Sequence, residues 1–172
     1  MSKNTFKRQP SQVTLSTIPV RNIIWMFYGL NNEPALDMDV FMPTKQTCLQ
    51  RGLEWDNKQK ASFIKTMMAG GFTQAISLNV LTRDNIAKVI DGKQRINTAI
   101  SYYQNEFGVD GVYYRDLSED DKYIFESFLI PVYQYTSVTP LRDDQLIEWF
   151  VAINDAGKPV QQAHLEKIRA LC

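Results

Sequence analysis

Apolar side chains recur along the chain at two spacings, and these spacings predict a mixture of helices and strands. Ile76, Leu78 and Val80 alternate with polar neighbours, which is the period of a half-buried strand. Ile64 and Met68 belong to a set of apolar residues three and four positions apart, as on one face of a helix. The predicted helices cover residues 57–69, 96–107, 140–154 and 161–171, with another after Ser118, and the predicted strands cover residues 76–80, 87–90 and 129–136.

Residues at the ends of these elements support the boundaries. Asp56 or Asn57 can cap the first helix, because a side-chain oxygen there accepts a hydrogen bond from the first turn. Ser118 precedes an acidic run, residues 119–121, which suits the positive end of a helix dipole. Pro131 has no N–H group, so it predicts a sheet edge or an irregularity in the strand at residues 129–136.

The order of the elements predicts a compact α+β domain, because helices and strands interleave with short links. Residues 31–47 contain prolines and adjacent asparagines and are expected to form a loop with short extended pieces. Residues 1–21 carry four basic and no acidic side chains, which predicts a basic, partly flexible N-terminal arm. Residues 22–172 are then expected to form a single domain.

Composition excludes several protein classes. The chain has 172 residues, of which 44% are hydrophobic and 22% are charged, and 19 basic residues balance 19 acidic ones. A net charge of zero argues against a protein that coats nucleic acid non-specifically. Cys48, Cys172 and the single His164 lack the paired spacing of a metal site, so no metal ligands are expected. The sequence shows no signal peptide and no membrane-spanning stretch, which predicts a cytoplasmic protein without a membrane partner.

The segment with the strongest chemical signal is the predicted strand-to-helix junction at residues 89–95. Such a junction presents unpaired backbone N–H groups and the positive end of a helix dipole, which suits phosphate. Gly92 lets a ligand approach the backbone, and the Arg95 guanidinium can donate two hydrogen bonds to phosphate oxygens. Asp91 can hold a metal ion or polarise a water, and Gln94 can contact a base, sugar or phosphate. An ordinary helix start capped by Asp91 explains the same residues, and both interpretations stay open.

Three blocks of sequence resemble one family. Asp91-Gly92-Lys93-Gln94-Arg95 resembles the Asp-Gly-Gln-Gln-Arg signature of the N-terminal domains of GmrSD-type restriction endonucleases, which share the ParB and sulfiredoxin fold. Residues 49–55 resemble the upstream Gln-Arg...Trp element of that family, and residues 149–160 resemble its downstream Ile-Asn...Gly element. The resemblance therefore spans about residues 49–171.

The resemblance implies a ParB/sulfiredoxin-like domain with a small mixed sheet and surrounding helices. It also implies that the junction binds a nucleoside triphosphate (NTP), accompanied by Mg²⁺, and that the protein acts in restriction, phage defence, counter-defence or DNA processing. The implied phosphate-binding residues are Gly92, Lys93, Arg95, Gln50, Arg51 and Asn154, and the candidate catalytic residues are Asp91 and Gln94. Slow NTP hydrolysis is a further activity that the resemblance implies.

The sequence departs from the family pattern at two points. Lys93 replaces the first glutamine of the signature, which adds a positive charge for phosphate; it also occupies the position of the sulfiredoxin cysteine, so reductase chemistry is not expected. The chain ends at Cys172 and has one histidine, so we expect no HNH nuclease in it and a nuclease or other subunit as partner. A phage-encoded version would act in the host cytoplasm.

Two other functions stay open from the sequence. A DNA-contacting module without hydrolysis would use the basic arm together with Lys45, Arg51 and Lys58. A catalytically silent interaction or inhibitor module would bind a protein partner through exposed aromatic side chains. The candidate aromatics are Tyr102, Tyr103, Tyr113, Tyr114, Tyr133 and Tyr135.

Overall fold

A five-stranded mixed sheet forms the centre of the fold in the computed structural model, which describes residues 13–29, 33–50, 52–156, 168 and 170. The strands are β1 (Val13–Pro19), β2 (Leu36–Asp37), β3 (Phe41–Met42), β4 (Thr47–Cys48), β5 (Ile76–Leu81), β6 (Ile86–Asp91) and β7 (Leu129–Ser137). The helices are α1 (Val20–Tyr28), α2 (Asn57–Met68), α3 (Lys93–Tyr103), α4 (Glu119–Ser127) and α5 (Asp143–Ala156). The predicted α+β class with a small mixed sheet is confirmed.

The order of strands in the sheet is β1-β7-β5-β6-β2, and β3 pairs with β4 separately. β7 runs antiparallel to β1 and parallel to β5, whereas β5 and β6 form an antiparallel pair. The register of β5 and β6 shifts between Ser77 and Leu78, so that Ser77 lies opposite Asp91, the last residue of β6. This irregularity lies directly before the start of α3, where a bulge can redirect side chains.

The two faces of the sheet support two separate cores. Val89 packs into the larger core with residues of α1, α2, α3 and α4, whereas its neighbour Ile90 packs into the second core with α5. This division follows from the strand period, because successive side chains point to opposite faces. The junction after β6 therefore lies between helices on both sides, and its backbone is held firmly by packing.

Several boundaries differ from the expectations. α3 ends at Tyr103 because Asn105 adopts a positive φ of 62°, although Phe107 still packs against the larger core and so extends the apolar pattern. α5 begins at Asp143, three residues later than expected, and the carboxylate of Asp143 accepts a hydrogen bond from the Thr44 backbone N–H at 2.8 Å. Of the helix expected at residues 161–171, the structure describes only residues 168 and 170, and Ile168 is buried in the second core. His164 and Cys172 lie outside the described residues.

Pro131 was expected to mark a sheet edge or an irregularity in its strand, and β7 is an inner strand of the sheet. The parallel pairing with β5 begins at Val132, so β1 alone lies beside Pro131, where it pairs with Thr17. The missing N–H group therefore removes no bond to β5, which explains how an inner strand accommodates this proline.

The N-terminal segment contributes more to the fold than the sequence suggests. Residues 13–19 of the expected arm form β1, and the Val20 N–H group at the start of α1 donates to the Phe128 carbonyl at 3.0 Å. Residues 1–12 of that segment lie outside the described residues. Among the helices that the structure describes, none is long and apolar enough to cross a membrane.

The cap of α2 agrees with the sequence and gives a first test. The Asp56 carboxylate accepts from the Gln59 backbone N–H at 2.7 Å, and the Gln59 side chain accepts from the Asp56 N–H at 3.0 Å. We expect Asp56→Ala to lower the free energy of unfolding by about 1 kcal/mol, because the first-turn N–H group loses its acceptor. Asp56→Asn keeps an acceptor oxygen and serves as the control in the same denaturation experiment; an equal loss in both variants would contradict the capping role.

Candidate functional site

The junction between β6 and α3 starts with a glycine that the fold itself requires. Gly92 is the N-cap residue of α3 and has a φ of 100°, in the region that favours glycine. A Cβ atom at this position would lie 2.4 Å from Cγ2 of Ile76 on β5. The close approach of α3 to β5 therefore explains Gly92 without any ligand. Asp91 does not cap the helix, which corrects that expectation.

The first turn of α3 is the most polar part of the junction. The N–H groups of Lys93, Gln94 and Arg95 have no acceptor within the helix, because they belong to its first turn. Gly92 has no side chain that could accept from them, and no side-chain cap is found at this helix start among the described residues. The positive end of the α3 dipole therefore has no side-chain cap among the described residues.

The Arg95 side chain is buried and connects three segments. Its Nη2 donates to the Asp91 carboxylate at 2.8 Å and to the Ala75 carbonyl at 3.2 Å, and its Nη1 donates to Oε1 of Gln74 at 2.9 Å. Nε is buried and has no hydrogen-bond partner within the described part of the chain. Arg95 therefore ties α3 to the segment before β5, and one of its donors remains without an acceptor.

Lys93 forms an ion pair that the sequence analysis did not anticipate. Its ammonium group contacts Oδ1 of Asp39, a residue in the loop between β2 and β3. The Lys93 side chain is only 12% exposed, whereas the Asp39 side chain is 70% exposed. The buried lysine charge is thus balanced by a carboxylate that lies largely in solvent.

Two glutamine amides connect the junction to the segment that precedes α2. Gln94 donates to the Gly52 carbonyl at 2.8 Å and accepts from the N–H groups of Glu54 and Trp55 at 3.1 and 3.3 Å. Gln50 donates to the carbonyl of Val89, and its Oε1 is buried without a partner among the described residues. Gln94 therefore holds residues 52–55 across the start of α3.

The described hydrogen bonds link most, but not all, of the candidate site residues to the start of α3. Asp91, Gly92, Lys93, Gln94, Arg95 and Gln50 surround the start of α3. Asn154 is buried on α5, where its amide donates to the Phe150 carbonyl at 2.7 Å within the same helix. Arg51 lies outside the described residues. The structure also places Gln74 and Asp39 at the site. The sequence did not predict them, since neither belongs to a motif and both are distant in sequence from residues 91–95.

Metal ligation at this site has limited support from the protein itself. Among the described residues, no three or more His, Cys, Asp or Glu side chains are grouped so that they could hold a metal ion. The carboxylate of Asp91, the residue before the N-cap, is already paired with Arg95.

Comparison with known protein families identifies one family. The model of the GmrSD restriction endonuclease N-terminal domain matches residues 48–170. The chain belongs to this family. The match connects the chain with restriction, and it includes every candidate site residue from Gln50 to Asn154. Comparison with curated proteins and with solved structures finds no match.

The matched range also shows what lies outside the GmrSD domain. Asp39 precedes residue 48, so the partner of Lys93 comes from a part of the chain that the family model does not cover. β1 and α1, which complete one side of the sheet and the larger core, precede it as well.

Proposed function

We propose that this GmrSD-type domain is a nucleotide-binding regulatory domain of a restriction-related system, with an NTP as its ligand. The phosphates would lie at the start of α3 and accept hydrogen bonds from the N–H groups of its first turn. The Lys93 ammonium would add a charge-assisted contact. A nuclease or another subunit of the system would respond to the bound state.

This proposal rests on the Nε donor of Arg95, which has no described hydrogen-bond partner and belongs to a helix start without a side-chain cap. A buried donor without an acceptor costs about 1–3 kcal/mol, and native proteins keep few of them. Arg95 is only 9% exposed, and its Nε donor has no partner among the described residues. An anion that approaches the first turn of α3 would supply negative charge where these donors lie.

The other candidate residues receive more specific proposed roles. Gln94 would act by positioning residues 52–55, because all its described bonds go to that segment. Gln50 would line the edge of the site, since its Oε1 lacks a partner. Asp91 would orient Arg95 and, if hydrolysis occurs, hold a water or the Mg²⁺ ion that accompanies the phosphates. Arg51 and Asn154 stay proposed phosphate contacts from the family resemblance.

Calorimetry with ATP, GTP, CTP and UTP, each with and without Mg²⁺, tests the proposal. We expect binding of at least one NTP, and Lys93→Ala is expected to weaken it about tenfold, since a charge-assisted bond contributes about 1.5–3 kcal/mol. Lys58→Ala is the control, because Lys58 is an exposed cation of α2 and its removal changes the net charge equally. Absence of binding by all four nucleotides, or equal affinity in wild type and Lys93→Ala, would overturn the proposal.

One observation favours the alternative of a protein-interaction module. Val13 and Leu15 of β1 lie opposite Tyr135 and Tyr133 of β7, and Val13, Leu15 and Tyr133 are 41%, 64% and 42% exposed. Of the six tyrosines considered from the sequence, Tyr133 is exposed, Tyr102 is buried, and the other four are half-buried. The calorimetry above separates the two functions, because an interaction module without a nucleotide site gives no heat of NTP binding.

A further inference from the structure

We propose that the Asp39 carboxylate pairs with the Lys93 ammonium group until a polyphosphate displaces it, and that this competition sets the affinity of the site for polyphosphate. The inference rests on the proposed nucleotide site and adds a residue that neither the family match nor the sequence motif contains. A phosphate group and the Asp39 carboxylate are both anions that pair with an ammonium group. They would therefore compete for Lys93.

The surroundings of the ion pair indicate which partner can leave. The Lys93 side chain is 12% exposed and belongs to the first turn of α3, so its ammonium has little freedom to move away. The Asp39 side chain is 70% exposed and can turn into solvent at little cost. A mostly buried ammonium group needs a counter-charge. A bound phosphate would provide that counter-charge when the carboxylate swings out.

The position of Asp39 is set by its neighbours. Its backbone N–H donates to Oδ1 of Asp37 at 3.2 Å, which closes a local turn. The next residue, Val40, is fully buried in the second core, and its carbonyl accepts from the Leu49 N–H at 2.9 Å. The loop backbone is thus anchored on both sides of Asp39, and a rotation of the side chain alone is enough to open or close the contact.

The two ion pairs described at the start of α3 balance each other in charge. Lys93 and Arg95 face Asp39 and Asp91, two cations against two carboxylates. Asp91 is four residues from its partner in the same segment and is 28% exposed, so it is the less mobile carboxylate. Release of Asp39 is therefore the step that gives the helix start a net positive charge for a phosphate.

Lys93 is also the residue at which this chain departs from the family signature. Where the signature has a neutral glutamine, this chain has a cation together with a carboxylate from residues outside the matched range. Asp39 thus offsets the attraction that Lys93 adds for phosphate until the ligand binds.

The experiment compares Asp39→Asn with the wild type by calorimetry, with the NTP that binds the wild type most tightly and with inorganic tripolyphosphate. We expect Asp39→Asn to bind both about fivefold more tightly, since partly exposed ion pairs contribute on the order of 1 kcal/mol. Asp84→Asn removes the same charge from the exposed turn at the other end of β6 and is expected to leave affinity unchanged.

Two further measurements separate this role from a structural one. Thermal unfolding without ligand should show that Asp39→Asn is no more stable than the wild type, so that tighter binding does not reflect a generally stabilised fold. In a Lys93→Gln background, which restores the signature residue, Asp39→Asn should give a smaller gain. An equal gain in affinity in both backgrounds would show that Asp39 acts by long-range repulsion of the anionic ligand and not through Lys93. That result would overturn the inference.

The outcomes distinguish this inference from the proposal on which it rests. Wild-type binding with unchanged or weaker affinity in Asp39→Asn overturns the role of Asp39 and leaves the nucleotide site intact. Absence of binding in both wild type and Asp39→Asn overturns the nucleotide site, and the role of Asp39 with it.

Discussion

Replacing Gly92 by alanine is expected to lower the free energy of unfolding by about 2–4 kcal/mol. Two costs add at this position. A φ of 100° is unfavourable for any residue with a Cβ atom, and that atom would lie 2.4 Å from the Ile76 side chain. Urea denaturation followed by circular dichroism measures the loss, with the slope of the transition as a check on two-state behaviour.

Gly70→Ala is the matched control for this experiment. Gly70 also has a positive φ, 65°, but a Cβ atom there would meet no heavy atom within 4 Å. We expect a loss of about 1 kcal/mol from the backbone conformation alone. Equal losses at the two glycines would contradict the close contact between α3 and β5, and with it the geometry of the candidate site.

Arg95→Ala is expected to lower the free energy of unfolding by about 2–4 kcal/mol. The substitution leaves the Asp91 carboxylate without its cation and removes the donors to Gln74 and Ala75. These groups lie at the start of β5 and at the end of β6, so the loss should also loosen the junction. Denaturation of the ligand-free protein measures this effect independently of any nucleotide.

An exposed arginine provides the control for Arg95. Arg142 pairs with Asp144 through two hydrogen bonds, but its side chain is 71% exposed. The pairing lowers the pKa of Asp144 below its usual value, yet solvent screens such a pair, and Arg142→Ala should change stability little. Wild-type stability in Arg95→Ala would contradict the structural role. The expected loss also explains why Lys93, and not Arg95, is the residue of choice for the binding test.

Local sequence signals predicted much of the secondary structure correctly. The caps at Asp56 and Ser118 are found where expected, because a cap depends on residues within one turn of each other. The end of α3 was not predicted correctly, and of the two interpretations of Pro131, a sheet edge or an irregularity, the structure contradicts the edge. Both depend on tertiary context: Phe107 packs beyond the helix, and the neighbours of β7 come from distant parts of the chain.

The candidate site shows the same division. The cluster from Asp91 to Arg95 could be predicted, since a strand, a glycine and a helix follow one another within a few residues. The partners of Lys93 and Gln94 could not, because Asp39 and Gly52 approach them from sequence distances of 54 and 42 residues. No local pattern of charge or hydrophobicity carries information on such a contact.

The sequence by itself determined the class of fold, the order of most elements and the family to which the chain belongs. Periodicity and capping are local properties, and the signature from Asp91 to Arg95 is contiguous. Only the tertiary structure decided how the polar side chains of that signature are used. Packing of α3 against β5 requires Gly92, and the folded loops bring Gln74 to Arg95 and Asp39 to Lys93. Those contacts arise because the sheet brings together segments that are far apart in the chain.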